Sequence, residues 1–389
     1  SSAPRPTKVT SWGNDIGYVV RNPRFHKPVN IIQNQVPGPS RAVPGRESEI
    51  QVKALNLRIG SKLLIAFLLV GFIPLAIIGF SSLITAKGAL NQAALDKLAA
   101  IEANRRSQIE NYLSQVFIDS ETMARSMDVF ILYEQFDMYD NVNDVTEDSP
   151  YNITDEEYLT IYAENGKNLS RLHADGGYAD IYYLGVPWGH VKFSAAKGAD
   201  LGTNLSKGPY RDSSLARVWR QVSETKAGVF LDFAPYAGDE MRPNAFVGQP
   251  VFDEDQELLG VLVFRLSAER INAIMQVRSG MGKTGESYLV GPDGLMRSDT
   301  YFAPNQYGVA ASFADPKKGR METEAVQLAL AGKSETRVTR NYKGNEVLAS
   351  FGPLEVGGQR WAVIAEIGVE EAFAAVTDLQ WLSAVVALI

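Results

Sequence analysis

The residues best equipped for chemistry are a glycine-rich run, Gly280-Met-Gly282-Lys-Thr-Gly285, which matches G-x-G-x-x-G and, at Gly282-Lys283-Thr284, part of a P-loop. Either motif cradles phosphate only when a strand leads into it and a helix N-terminus follows, so that N–H groups face the anion. Here the pattern is reversed, with a helix before and a strand after, and Val277 stands where the first P-loop glycine belongs. Nucleotide binding is therefore not expected. Zero cysteines remove disulfides, thiolate metal sites and cysteine nucleophiles. His26, His173 and His190 lie far apart, which disfavours a multi-histidine metal site. Asp140, Asn143 and Asp144 belong to a stretch, 137–164, with nine acidic residues and no Lys or Arg. Their spacing misses the EF-hand loop, so a solvated loop is expected. No G-x-S-x-G is present, and Asp232 and Asp253 have no spacing that speaks for a glycosidase pair. The expectation is a protein without catalytic residues, metal or cofactor.

Charge and hydropathy say where such a protein would sit. The 389 residues carry a net charge of −7, which argues against nucleic acid as a partner. Residues 1–62 have ten Lys/Arg against three Asp/Glu, whereas the rest of the chain is net acidic. Between them, residues 63–84 contain no charge at all. As a helix these would reach roughly 33 Å, enough for a hydrocarbon core of about 30 Å, and Pro74 is tolerated in that setting. Arg46, Lys53, Arg58 and Lys62 precede the run and only Lys87 follows closely, so residues 1–62 are expected in the cytoplasm and those after 84 outside. Residues 379–389 are apolar, with Trp381 placed as an interfacial anchor, and read as the start of a truncated second span. Residues 1–51, rich in Pro, Gly, Asn and Arg, read as a disordered tail, with Val52 as a candidate translation start.

The region between the two apolar runs divides by periodicity. Residues 85–136 are almost free of Gly and Pro, and Ile109, Leu113, Val116, Ser120, Met123, Met127 and Phe130 recur at helical steps. One long helix is expected, serving as a stalk along globular modules or as a dimer interface. Strands are expected at 180–185, 190–194, 229–233, 245–252 and 258–266, with helices at 213–224 and 268–277. A second block has strands at 287–290, 295–298, 335–340, 346–351 and 361–367, a helix at 323–331 closed by Gly332, and a helix at 370–377. Pro250-Val-Phe, a turn and GVLVFRLSAERINAI parallel Pro353-Leu-Glu, a turn and WAVIAEIGVEEAFAAV. The fold class is α+β, with two tandem units, each built on an antiparallel sheet, carried by the long helix.

The run Gly285-Glu-Ser-Tyr-Leu-Val-Gly-Pro-Asp-Gly-Leu-Met-Arg-Ser-Asp299 resembles the opening hairpin of the membrane-proximal module in bacterial double Cache (dCache) sensors. Asn204-Leu-Ser-Lys-Gly-Pro-Tyr-Arg-Asp-Ser-Ser-Leu-Ala216 is similar to the distal module of a chemoreceptor and cyclase subgroup. The resemblance covers 53–389. It implies two Cache (PAS-like) modules, distal at 85–278 and proximal at 279–378, flanked by transmembrane helices in the inner membrane. It also implies a homodimeric receptor of the methyl-accepting chemotaxis type that binds a small molecule outside and signals to cytoplasmic proteins through an output region beyond residue 389. A histidine kinase or cyclase with the same sensor, a membrane-anchored protein-binding module and an anchored hydrolase remain alternatives.

In amino-acid-binding members of this family, an Asp on the strand after the last distal hairpin holds the ligand amine. Gly260-Val-Leu-Val-Phe-Arg265 aligns with that strand and puts Arg265 in its place. Arg217 and Trp219 keep an Arg-x-Trp spacing, but Arg220 follows where an aromatic belongs. Amino acids are thus disfavoured, and an organic anion gripped bidentately by Arg265 is expected. Lys207, Tyr210, Arg211, Trp219, Tyr236 and Phe246 are the expected companions.

Overall fold

The computed structural model describes residues 58–149 and 151–388, so the expectations for the tail and for Val52 lie outside the described residues. Helix α1 (Ile59–Ala124) is continuous through Pro74 and through both the apolar and the amphipathic stretches. Its first part is exposed on every side, and it is long and apolar enough to cross a membrane by length and composition. Further on, Leu98, Glu102, Arg105, Ile109, Leu113, Val116, Ser120 and Ala124 are buried at steps of three and four, the stripe of an amphipathic helix.

The helix does not continue unbroken to residue 136. Ser126 adopts an extended backbone, its hydroxyl accepts the Val129 N–H, and α2 (Met127–Val142) starts afresh. The new start shifts the buried stripe to Val129, Leu132, Phe136 and Tyr139 and leaves Met127 exposed. The acidic stretch is not a solvated loop either. Part of it completes α2, and part forms α3 (Glu156–Asn165), whose Glu156 and Glu157 sit in the first turn where the helix dipole favours them. Helix α4 (Lys167–Gly176) follows. Asp140 spends its charge on Lys192, 2.5 Å away, and accepts the Tyr151 hydroxyl.

The first sheet contains β1 (Asp180–Gly185), β2 (Val191–Ser194), β3 (Val229–Pro235), β4 (Pro243–Phe252) and β5 (Leu258–Leu266), ordered β2-β1-β5-β4-β3 and antiparallel throughout. Side chains alternate between its faces. Ile181, Tyr183, Val247, Leu262 and Phe264 join the core formed with α1 and α2. Tyr182, Leu184, Phe246, Val261 and Val263 form a separate core with α5 (Ser214–Thr225). Gly248 lets α5 sit close, because a Cβ there would lie 2.4 Å from Val218 Cγ1.

After α6 (Ala268–Met275) comes a second antiparallel sheet of β6 (Glu286–Val290), β7 (Glu335–Arg340), β8 (Glu346–Val356) and β9 (Gln359–Gly368), ordered β6-β9-β8-β7. Short helices α7 (Pro304–Tyr307), α8 (Val309–Ala314), α9 (Pro316–Gly319) and α10 (Glu324–Leu330) link β6 to β7. The expected strand at 295–298 is reduced to one bridge, Val290 to Met296. Around it two backbone bonds persist, from the Gly291 N–H to the Leu295 carbonyl and from the Arg297 N–H to the Leu289 carbonyl, while the Met296 N–H turns to the Ser312 hydroxyl and the Leu289 N–H to the Ser298 hydroxyl. The two stretches that run parallel in sequence place their prolines alike in register: Pro250 of β4 opposes Val261, and Pro353 of β8 opposes Ala362. The chain closes with α11 (Val369–Ala372) and α12 (Ala374–Leu388).

Candidate functional site

Arg265 stands near the end of β5, on the α5-covered face of the first sheet, directly across from Asp180 of β1 and Phe246 of β4. It is buried, as are Asp180, Asp200 and Asn244. Its Nη2 donates to the Ala179 carbonyl at 3.1 Å, and Nη1 lies 4.0 Å from Asp239. The guanidinium also rests over the Tyr236 ring, 5.8 Å from its centroid. Tyr236 in turn packs edge-on against Phe246 and donates its hydroxyl to Asp200, which also accepts from Tyr182 at 2.9 Å. Burial pushes the Asp200 pKa up, against the opposing pull of the Tyr236 and Tyr182 hydroxyls.

The neighbouring carboxylates are largely committed. Asp180 accepts the Ser194 hydroxyl and the N–H groups of Ile181 and Ala196. Asp239, in the single turn after Tyr236, pairs with Arg242 at 2.6 Å and accepts from Asn244 at 2.9 Å. Three atoms of the group are left over. Arg265 Nε, Asp200 Oδ1 and Asn244 Oδ1 are buried and have no hydrogen-bond partner among the described residues. Each such group costs about 1–3 kcal/mol when left unmet, so three in one neighbourhood single this cluster out. What it offers is one cationic donor, two acceptors and aromatic walls.

The residues expected from the sequence divide in two. Arg265, Tyr236 and Phe246 are in mutual contact, and Tyr210 borders them, its ring 6.5 Å from that of Tyr236. Trp219 belongs to the same core through α5, but its Nε1 is given to the Gly185 carbonyl. Lys207 points elsewhere, to Glu147 at 2.6 Å and Asp148 at 2.9 Å, and Arg211 is exposed beside Asp212. Asp180, Tyr182, Asp200, Asp239 and Asn244 were missed. Alternation along β1 puts Asp180 and Tyr182 on the face of Leu184 and could have found those two. Asp200 lies in an irregular turn with no local signal.

A second buried arginine has the opposite character. Arg297 holds Asp232 of β3 through Nε at 2.8 Å and Nη2 at 2.7 Å, and reaches Asp293 through Nη1 at 3.0 Å. Trp361 of β9 donates to the same Asp232 at 3.1 Å. This cluster joins the first sheet to the second, so Asp232 is structural and is not a member of a carboxylate pair.

Compared with known proteins, residues 86–376 match the family model dCache_1, described as the Cache domain. Among solved structures, the chain is similar to the ligand-binding domain of the Pseudomonas fluorescens chemoreceptor CtaA in complex with L-isoleucine, at 13% identity over 75% of this chain and 99% of that one, with a TM-score of 0.43. It is also similar to the ligand-binding domain of the Pseudomonas aeruginosa amino acid chemoreceptor PctB in complex with L-Arg, at 16% identity over 73% and 92%, TM-score 0.42. The periplasmic sensory domain of the Campylobacter jejuni chemoreceptor Tlp1 is a further neighbour, at 14% identity over 73% and 98%, TM-score 0.45. Against the curated proteins, no match emerges.

Proposed function

The chain belongs to the Cache-domain family, and on that premise we propose that it is the sensing region of a transmembrane receptor of the methyl-accepting chemotaxis type. In this reading residues 63–84 and 379–389 belong to two spans of the inner membrane, with 1–62 in the cytoplasm. Residues 85–278 are the stalk helix and distal module, and 279–378 the proximal one. The receptor works as a homodimer and passes its signal to cytoplasmic proteins through an output region after the second span.

The ligand is a small organic anion, and Arg265 is its anchor. The observation that carries this is the unmatched trio Arg265 Nε, Asp200 Oδ1 and Asn244 Oδ1 on one covered face of the first sheet. Because Nη2 is already given to Ala179, the grip centres on Nε rather than on a fully free guanidinium edge. The two acceptors ask for a ligand that also carries hydrogen-bond donors, as a hydroxy acid does. Tyr236, Phe246 and Tyr210 supply walls, and Trp219 sets α5 against them. Lys207 and Arg211 serve outside this cluster, Lys207 by holding the acidic segment.

A thermal-shift screen of the full chain in detergent tests the reading, with hydroxy acids and dicarboxylates set against amino acids and amines. Stabilisation by acids that weakens in Arg265→Ala is expected. Stabilisation by amines alone, or by acids equally in both proteins, contradicts it.

A further inference from the structure

The second sheet contains two glutamates that neither the ligand site nor the sheet junction uses. Glu286 of β6 and Glu366 of β9 are directly opposed across the antiparallel ladder, and each is only 3% exposed. Neither has a salt-bridge partner among the described residues. Two buried like charges side by side, without a cation paired to either, is a state that proteins avoid by holding a proton.

The surroundings say which positive charge would fit. Glu286 accepts the Tyr342 hydroxyl on one oxygen and the N–H groups of Tyr301 and Phe302 on the other. Glu366 accepts from the Tyr288 hydroxyl at 2.9 Å and from Asn341 at 3.0 Å. All four oxygens are therefore engaged, which leaves no open face of the kind a metal ion needs. A proton adds to one oxygen without displacing these donors. The nearby cations are held on aromatic faces: Arg278 over Tyr301 at 4.3 Å, and Lys343 over Phe302 at 5.2 Å and Tyr342 at 5.5 Å. A cavity of 240 Å³ lined by Glu286, Asn341, Lys343 and Thr284 gives water a way to the pair.

We propose that Glu286 and Glu366 form a proton-binding pair that makes the base of the second sheet respond to the pH of the medium. One proton is held by the pair and is released to water as the medium turns alkaline, leaving two carboxylates across the β6–β9 ladder. In support, burial and the charge of Glu286 raise the Glu366 pKa from 4.5 to about 7, while Tyr288, Asn341 and Lys343 act in the opposite sense.

The position gives the change somewhere to go. Two residues beyond Glu366, the Gly368 N–H donates to the Thr284 hydroxyl, and the N–H groups of Lys283 and Thr284 hold Glu371 of α11 at 2.7 Å each. The glycine-rich run that resembles a phosphate loop thus cradles a carboxylate of the chain itself. Repulsion between the two glutamates loosens β6 from β9 next to this latch, at the root of the helices leading to the C-terminus. None of this depends on the ligand proposed for the first sheet.

Infrared difference spectroscopy of the full chain in detergent, titrated from about pH 5 to about pH 9, reads the carbonyl band of a protonated buried carboxyl. A band that is lost with a midpoint near 7 is expected in the wild type, absent in Glu366→Gln and displaced to lower pH in Glu286→Gln. A wild type with no carboxyl titrating near neutrality overturns the proposal, whether or not the variants fold. A band unchanged in both variants does so as well.

Discussion

Two buried arginines differ in what they leave unfinished. Arg297 has a partner for every nitrogen, and Asp232 answers it bidentately while also accepting from Trp361. Removing it leaves the Asp232 carboxylate, 9% exposed, without its cation, so Arg297→Ala should cost about 3–5 kcal/mol in chemical denaturation, ligand present or not. Arg265 keeps Nε unmatched. Arg265→Ala should therefore act on affinity first, losing about 1.5–3 kcal/mol of binding, or roughly ten- to over a hundredfold, with a smaller loss of stability. Glu366 yields a prediction with a definite sign. Its folded pKa, about 7, lies above the ordinary 4.5, so between these values the native state binds more protons than the unfolded chain. The contribution of Glu366 to stability is fully present below 4.5 and is lost as pH rises through about 7, and Glu366→Gln should flatten that part of a Tm-against-pH curve. Arg265 was legible in the sequence because alternation along a clear strand put it on the face of Val261 and Val263. Asp200 was not, because it lies in an irregular turn far from β5 in sequence.

At the scale of elements, regular strands were readable and interruptions were not. β5 and β7 fall where their alternation and flanking turns put them, whereas β8 extends past Phe351 because Pro353 is accommodated within the strand. The α1–α2 break escaped notice because Ser126 looks like any helix-surface serine until its backbone leaves the helix. Helix α3 lay hidden under an acidic composition that suggested solvent. The cover over the candidate site depends on Gly248, where α5 approaches β4. In Gly248→Ala the new methyl meets Val218 Cγ1 at 2.4 Å and Val222 Cγ2 at 3.0 Å, both on stiff β-branched side chains. A loss of about 1–3 kcal/mol is expected from overpacking, together with weaker ligand binding as α5 is pushed off the face. Thermal denaturation with and without ligand separates the two effects.

For the whole molecule, the family match over 86–376 follows the exposed apolar stretch of α1. The basic residues before that helix and the acidic balance after it put residues 85–378 outside the cytoplasm in the proposed topology. An alkaline phosphatase fusion at residue 240 should then be active, and a stable but inactive fusion would reverse the orientation. Strands of two antiparallel sheets and a long helix were legible because each rests on local periodicity. The junction through Arg297 and the proton-binding pair were not, since each joins residues far apart in sequence whose neighbourhood only the folded chain creates. The proposed binding of a small organic anion to the first sheet through Arg265 is measured by isothermal titration calorimetry. The full chain in detergent is titrated with the most stabilising acid, wild type and Arg265→Ala side by side. Saturable binding that weakens about tenfold or more in the variant is predicted. Equal affinity in the two proteins, or no saturable binding to the wild type, would contradict it.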